Sequence, residues 1–197
     1  MNLFNAKVAF LTTIFPTEER FLLDFLNSIA SQTYKNFDVI IVNDGYKNFH
    51  DIKIKYKNLS IIELPYLSTP AKNREYGINY CIDEKYNIII FGDSDDYFSD
   101  NRVELLLSML KDNDIVVNDV SLFNDNGIYE TMYISNRLND GSKVTYSYIK
   151  NKNIFGLSNT AVRVNILNRM KFDKDLVAVD WFLYKELLKK GCVAKFT

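Results

Sequence analysis

The sequence predicts an α/β fold, a mostly parallel sheet flanked by helices, on three observations. Short, nearly continuous apolar runs recur through residues 1–123, stripes of helical period separate them, and polar clusters close several runs. Strand-helix alternation of this kind gives a doubly wound, Rossmann-related sheet with right-handed crossovers. After Asn124 the alternation stops, and a smaller α+β region follows.

Lys7 to Thr13 is the first β-favouring run, and Pro16 behind it sits where a helix begins. Phe21, Leu22, Phe25, Leu26 and Ile29 then form one apolar stripe through about Ser31. Phe37 to Asn43 reads as a strand buried on both faces and stops at Asp44-Gly45. Leu59 to Leu64 repeats the pattern and ends at Pro65, and a polar helix carrying Arg74 and Ile78 runs from Pro70 to about Ile82. Tyr86 to Phe91 is the fourth apolar run, leading directly into Gly92-Asp93-Ser94-Asp95-Asp96. Val103, Leu106, Leu107 and Leu110 mark another helix, and Asp114 to Phe123 a fifth strand.

The second part has weaker landmarks. Asn124 to Gly127 is a turn, Tyr129 to Ile134 favours β structure, and Asn139-Asp140-Gly141 is a second turn. Lys143 to Lys152 reads as a short helix. Asp180 to Lys190 is a clearer one, with Trp181, Tyr184, Leu187 and Leu188 on its apolar face and Gly191 as its stop. The chain ends inside an expected strand, Cys192 to Phe196, as a chain with an omitted carboxy-terminal segment would.

The 197 residues suffice for one domain with a sizeable core, expected as 1–197 with two halves, about 1–123 and about 124–197, that meet where the alternation stops. Lys plus Arg (24) balances Asp plus Glu (25), so no basic field points to nucleic acid. Cys81 and Cys192 are far apart, without metal-ligand spacing, and read as free thiols in a reducing compartment. Met1 to Lys7 lacks the basic and long apolar stretches of a leader, and no run approaches the ~18 to 20 apolar residues of a membrane span. The expected location is cytoplasmic, a position compatible with peripheral contact at the inner membrane face.

In an open parallel sheet, ligands bind beyond the carboxyl ends of the strands. Thr12/Thr13, Asp44-Gly45 and Asp93 to Asp96 all lie at such ends, so they are expected to meet in one crevice. Three carboxylates within Asp93-Ser94-Asp95-Asp96 repel one another unless a cation or strong donors compensate. Their hard oxygens suit magnesium or manganese shared with phosphate, and the alternative is a solvated acidic turn capping the next helix through Ser99 or Asp100. Asp44 is either a turn residue or an acceptor for the imide N–H of uracil. Arg74 either pairs with Glu75 or another surface acid, or presents its fork to a base or diphosphate. Asp180 either caps its helix or serves as a general base, a role that His50, in a polar stretch, is not placed to fill.

These motifs together resemble the family-2 glycosyltransferases along essentially the whole chain. Leu26-Asn27-Ser28-Ile29 and the stretch from Gln32-Thr33-Tyr34 through Asp44-Gly45 are similar to the family's "S…QTY.NFEIIVVDDGS" signature. Arg74 before Gly77-Ile78 resembles "ARNxGI", Phe91 to Asp96 resembles "FLDSDD", and Val179-Asp180-Trp181 with Leu187, Leu188 and Gly191 resembles "EDxxxxxRLxxxG". The resemblance implies the GT-A fold and an inverting glycosyltransferase that takes a nucleotide sugar, a UDP-sugar above all, with about 1–123 as the nucleotide-sugar-binding half and about 124–197 as the acceptor-side half. It implies Asp93 at the ribose and nucleotide, Asp95 on Mn2+ or Mg2+, and Asp180 as base, with Thr13, Asp44, Arg74 and Ser94 about the donor. A glycan or lipid-linked glycan is the implied acceptor, as in surface polysaccharide synthesis. Val179, Tyr46, Gly92 and Glu75 depart from the family's usual Glu, Ser, Leu or Met, and Asn. Two other classes stay open: a nucleotide-sugar-binding module that does not transfer, and a metal-dependent nucleotidyl or phosphoryl transferase. The latter lacks a Gly-rich Lys loop or a Gly-rich stretch after the first strand.

Overall fold

A computed structural model describes residues 6–197. The expectation about a leader in Met1 to Lys7 falls mostly outside the described residues. No helix among them is long and apolar enough to cross a membrane.

Five of the apolar runs form strands β1 (Val8–Ile14), β2 (Asp38–Asn43), β3 (Ser60–Pro65), β4 (Ile88–Phe91) and β5 (Ile115–Val117). Between them lie helices α1 (Glu19–Ala30), α2 (Phe49–Lys53), α3 (Pro70–Asp83) and α4 (Arg102–Met109). The second part adds β6 (Leu122–Asn124), β7 (Gly127–Glu130), β8 (Lys143–Val144), α5 (Tyr146–Ile149), β9 (Thr160–Arg163), α6 (Val179–Lys189) and β10 (Ala194–Phe196). The eight-stranded sheet runs β3-β2-β1-β4-β9-β5-β10-β8, and β6-β7 is a separate hairpin. The mostly parallel, helix-flanked sheet with a smaller β-rich region agrees with the expected fold class.

The pleat divides the core in two. Ala9, Leu11, Ile40, Val42, Ile89 and Phe91 face α3 and α6, whereas Val8, Phe10, Val39, Ile41, Ile88 and Ile90 face α1 and α4. Burial on both faces is why these runs lack polar alternation. Strand β3 is the exception: at the sheet edge, Ile61 and Ile62 are only half-buried.

Several expectations are corrected. Thr160–Arg163, for which no strand is expected, forms β9, which inserts between β4 and β5, antiparallel to both. The expected strand Asp114 to Phe123 is broken: β5 ends at Val117, and Asp119 turns its carboxylate back to accept the Val120, Ile134 and Ser135 N–H groups. The β-favouring stretch to Ile134 stops at Glu130, and Met132 takes a left-handed φ of 55°. Lys143 to Lys152 is not one helix. β8 pairs with β10, and Thr145 caps the short α5 by accepting the Tyr148 N–H. His50 is exposed, on α2. Cys81 and Cys192 are free thiols, Cys192 only half-buried.

Each departure from the family pattern has a local cause. Tyr46 is 9% exposed and donates its N–H to Asn43 Oδ1, fixing the turn after β2, where Gly45 takes φ 85°. Glu75 accepts from Lys72 Nζ at 2.8 Å and from the Phe172 N–H, pinning the segment before α6. Val179 is buried against the α3/α6 core. At Gly92 a Cβ would lie 2.6 Å from Phe10 and 2.8 Å from Phe98, so two aromatic rings fill the space of the usual Leu or Met. Gly92→Leu is expected to cost ~1–3 kcal/mol through overpacking. Urea denaturation measures it, and Phe98→Ala in the same chain should recover part of the loss, since neighbours are not additive.

Candidate functional site

The carboxyl ends of β1, β2 and β4 open on one side of the sheet, and a crevice of about 540 Å³ lies beyond them. Thr13 from the end of β1, Asp44 after β2, Arg74 from α3, and Asp93, Ser94 and Asp95 after β4 line it with Phe15, Pro70 and Asn73. Six residues singled out in the sequence therefore meet in one space, of a size that takes small-molecule ligands.

The turn after β4 is held from several sides. The Asp93 N–H donates to Ser158 Oγ at 2.9 Å, and that hydroxyl donates to Asp93 Oδ2 at 3.2 Å. Arg74 Nη2 lies 3.8 Å from Asp93 Oδ1, so Arg74 meets this carboxylate while Glu75 serves Lys72. Burial raises the Asp93 carboxyl to about 6; Arg74 opposes the rise, Asp96 and Asp95 add to it, and Ser158 opposes it. Burial also raises Asp96, countered by Ser158 and by Arg102. Asp95 is exposed and makes no hydrogen bond or ion pair among the described residues.

The pH dependence of Asp93 follows in sign. With its folded pKa above the ordinary carboxylate value, the folded protein holds the proton more tightly. Stability therefore falls as pH rises through the window between the ordinary value and about 6. In metal-free protein, Asp93→Asn should melt progressively higher than the parent as pH rises across that window. Thermal melts over a pH series check this, and a constant difference refutes it.

Ser99 and Asp100 do not cap α4. Its N-cap residue is Asn101, without a side-chain bond, and the Val103 N–H is taken by Gln32 Oε1 at 3.0 Å. Gln32, fully buried after α1, also donates Nε2 to Ser28 O and Ser99 O. The QTY segment thus braces the helix that follows the acidic turn.

Asp180 is not among the lining residues of the crevice. It sits in the first turn of α6, with Oδ1 accepting its neighbour Trp181's N–H at 2.8 Å and Oδ2 3.4 Å from Asn153 Nδ2. Asn153 also donates to Phe155 O, and Asn159 ties Gly156, Ile154 and Asn118 together. One braced loop therefore links Asp180 at Asn153 to Asp93 at Ser158.

Sequence reading missed Ser158, Asn73 and Arg102. Asn73 is fully buried on the crevice wall and its Oδ1 has no partner among the described residues, as is true of the Ser94 hydroxyl, which is 2% exposed. An Asn on the buried face of α3, beside Ala71 and Ile78, was the available signal for Asn73. Ser158 stands 65 residues from Asp93 and carries no local signal.

Among the described residues no group of three or more His, Cys, Asp or Glu side chains converges to hold an ion alone. An exposed carboxylate without an ion pair among the described residues, beside a crevice roomy enough for phosphate, is nonetheless the donor set magnesium or manganese uses when phosphate oxygens and water complete its shell. The residues fit such a cation.

Comparison with known proteins follows the same direction. The model of glycosyl transferase family 2 matches residues 13–177. Among curated proteins, an uncharacterized glycosyltransferase of Rickettsia bellii is 31% identical over 120 residues, covering 59% of this chain and 17% of the relative. One from Rickettsia conorii is 30% identical over 135 residues, covering 60% and 20%. The matches thus span a fifth or less of those relatives. Residues 1–349 of S. aureus TarS in complex with UDP-GlcNAc superpose with a TM-score of 0.73 at 20% identity, covering 97% of this chain and 56% of that one. A mannosyltransferase of Pyrobaculum calidifontis in complex with GDP-Man and Mn2+ gives 0.71 at 15%, covering 98% and 55%. Likeness at such identity speaks for the fold.

Proposed function

Because this chain belongs to glycosyl transferase family 2, we propose that it moves a sugar from a nucleotide-sugar donor, a UDP-sugar, to a hydroxyl of a glycan or lipid-linked glycan, with inversion. The observation that carries this reading is the convergence of Thr13, Asp44, Arg74, Asp93, Ser94 and Asp95 on one crevice at the carboxyl ends of three parallel strands. The UDP assignment draws support from the similar structure that holds UDP-GlcNAc.

In this reading Asp44 accepts the imide N–H of the base, with Thr13 beside it. Arg74 presents its fork to the nucleotide, and Asp93, steadied by Ser158 and Arg74, takes the ribose. Asp95 would hold Mn2+ or Mg2+, which would supply positive charge that stabilises a diphosphate leaving group. Asp180 Oδ2, the oxygen not engaged by Trp181, accepts the proton of the acceptor hydroxyl. Attack on the face opposite the diphosphate inverts the anomeric carbon.

A thermal-shift screen of UDP- and GDP-sugars with and without manganese tests the donor. A manganese-dependent shift confined to UDP-sugars is expected, and no shift with any nucleotide sugar refutes the reading. A second reading, a module that binds the donor without transfer, is favoured by the placement of Asp180 outside the crevice lining. Product formation by the same protein, assayed with the donor that shifts it, separates the two.

A further inference from the structure

A buried cation lies beneath the acidic turn, and the proposed donor site makes no direct use of it. Arg102 is 5% exposed and is the first residue of α4. Two costs attend that position: a charge removed from water, and a positive charge at the positive end of a helix dipole. Its Nη2 donates to Phe91 O at 2.9 Å, the last carbonyl of β4, and its Nε donates to Asn118 Oδ1 at 3.2 Å, directly after β5. The guanidinium carbon lies 4.4 Å from the Phe98 ring centre and 5.5 Å from that of Phe10, the two rings that exclude a side chain at Gly92. Nη1 is buried without a hydrogen-bond partner among the described residues. Arg102 and Asp96 line the same cavity behind the turn.

The strand ends that Arg102 joins are not neighbours in the sheet, because β9 separates β4 from β5. A fork that bridges them fixes where β4 stops and therefore where Asp93 to Asp96 project. A buried apolar side chain fills that volume without the two costs, so the charge and the fork are what the position retains. Burial pushes Arg102 down to about 9, and Asp96, then Tyr184 and Asp93, oppose that only in part.

We propose that Arg102 is a positioning residue of the nucleotide-sugar site, whose fork to Phe91 O and Asn118 Oδ1 sets the acidic turn for a divalent cation and diphosphate. The proposal rests on the reading of Asp95 as the cation ligand. Lysine at 102 keeps the charge and loses the planar fork, so Arg102→Lys separates the two.

The test is calorimetric titration of the full chain with UDP, in EDTA and again in manganese chloride. The parent is expected to bind UDP more tightly with manganese. Arg102→Lys should keep the affinity seen in EDTA and lose about tenfold or more of the manganese-linked gain, the range for residues that orient a metal ligand. Asn118→Ala, which removes only the Nε tie, should move the same ratio in the same direction by less, and it carries the test if Arg102→Lys does not fold. A folded variant with the parent's gain overturns the proposal, as does an equal loss in EDTA and in manganese. A parent without any manganese-linked gain overturns the reading of Asp95 and this inference with it.

Discussion

Replacing Asp95 with asparagine is expected to abolish metal-dependent turnover while leaving the fold untouched. The side chain is exposed and makes no hydrogen bond or ion pair among the described residues, so its loss leaves nothing unsatisfied. Surface changes of that kind stay within about ±0.5 kcal/mol, and removing one of three adjacent negative charges relieves repulsion. The amide keeps an oxygen but not the charge, and charge stabilisation of a departing diphosphate is worth several kcal/mol. Turnover should therefore drop by about a hundredfold or more at saturating manganese. An unchanged melting temperature accompanied by that loss identifies Asp95 as the ligand. Parent-like turnover at saturating manganese refutes it.

The parts of the fold that were legible are those where one physical demand dominates. β1, β2 and β4 are buried on both faces, so their apolar runs stand out, and α1 and α6 each show a stripe because one side meets the core. β9 was missed because Thr160–Arg163 is four residues long and closes a gap in the sheet that no local pattern announces. The reading of Asp114 to Phe123 as a single strand failed for a related reason. Asn118 and Asp119 lie past the end of β5 and their side chains bond groups from elsewhere in the chain, and propensity does not register such partners.

The candidate site divides along the same line. Thr13, Asp44 and Asp93 to Asp95 were readable because strand ends in a parallel sheet share one edge. Arg74 was ambiguous in sequence, and the structure places it 3.8 Å from Asp93 rather than on Glu75. Ser158, Asn73 and Arg102 act through distant partners. Ser158 belongs to the region after Asn124, where the sequence offers few landmarks, yet it is the residue that bonds Asp93 twice. The braced loop behind it is the physical link between the crevice and Asp180.

For Asp180, two roles predict different sizes of effect from the same substitution. As a first-turn carboxylate on α6 it interacts favourably with the helix dipole, which contributes about 0.3–1 kcal/mol, and asparagine keeps an oxygen for the Trp181 N–H. If that were its whole role, Asp180→Asn would lower the melting temperature slightly and leave transfer unaffected. As the general base it supplies about 10²–10⁴-fold, because asparagine cannot accept the acceptor's proton at neutral pH. Donor binding should be near normal in the variant, since Asp180 does not line the crevice proposed to hold the nucleotide. The expected result is therefore parent-like UDP affinity, a small change in stability and transfer reduced by at least about a hundredfold. Loss of donor affinity in step with stability would instead place Asp180 in the support of the Asn153–Ser158 loop, and the base would have to be another carboxylate.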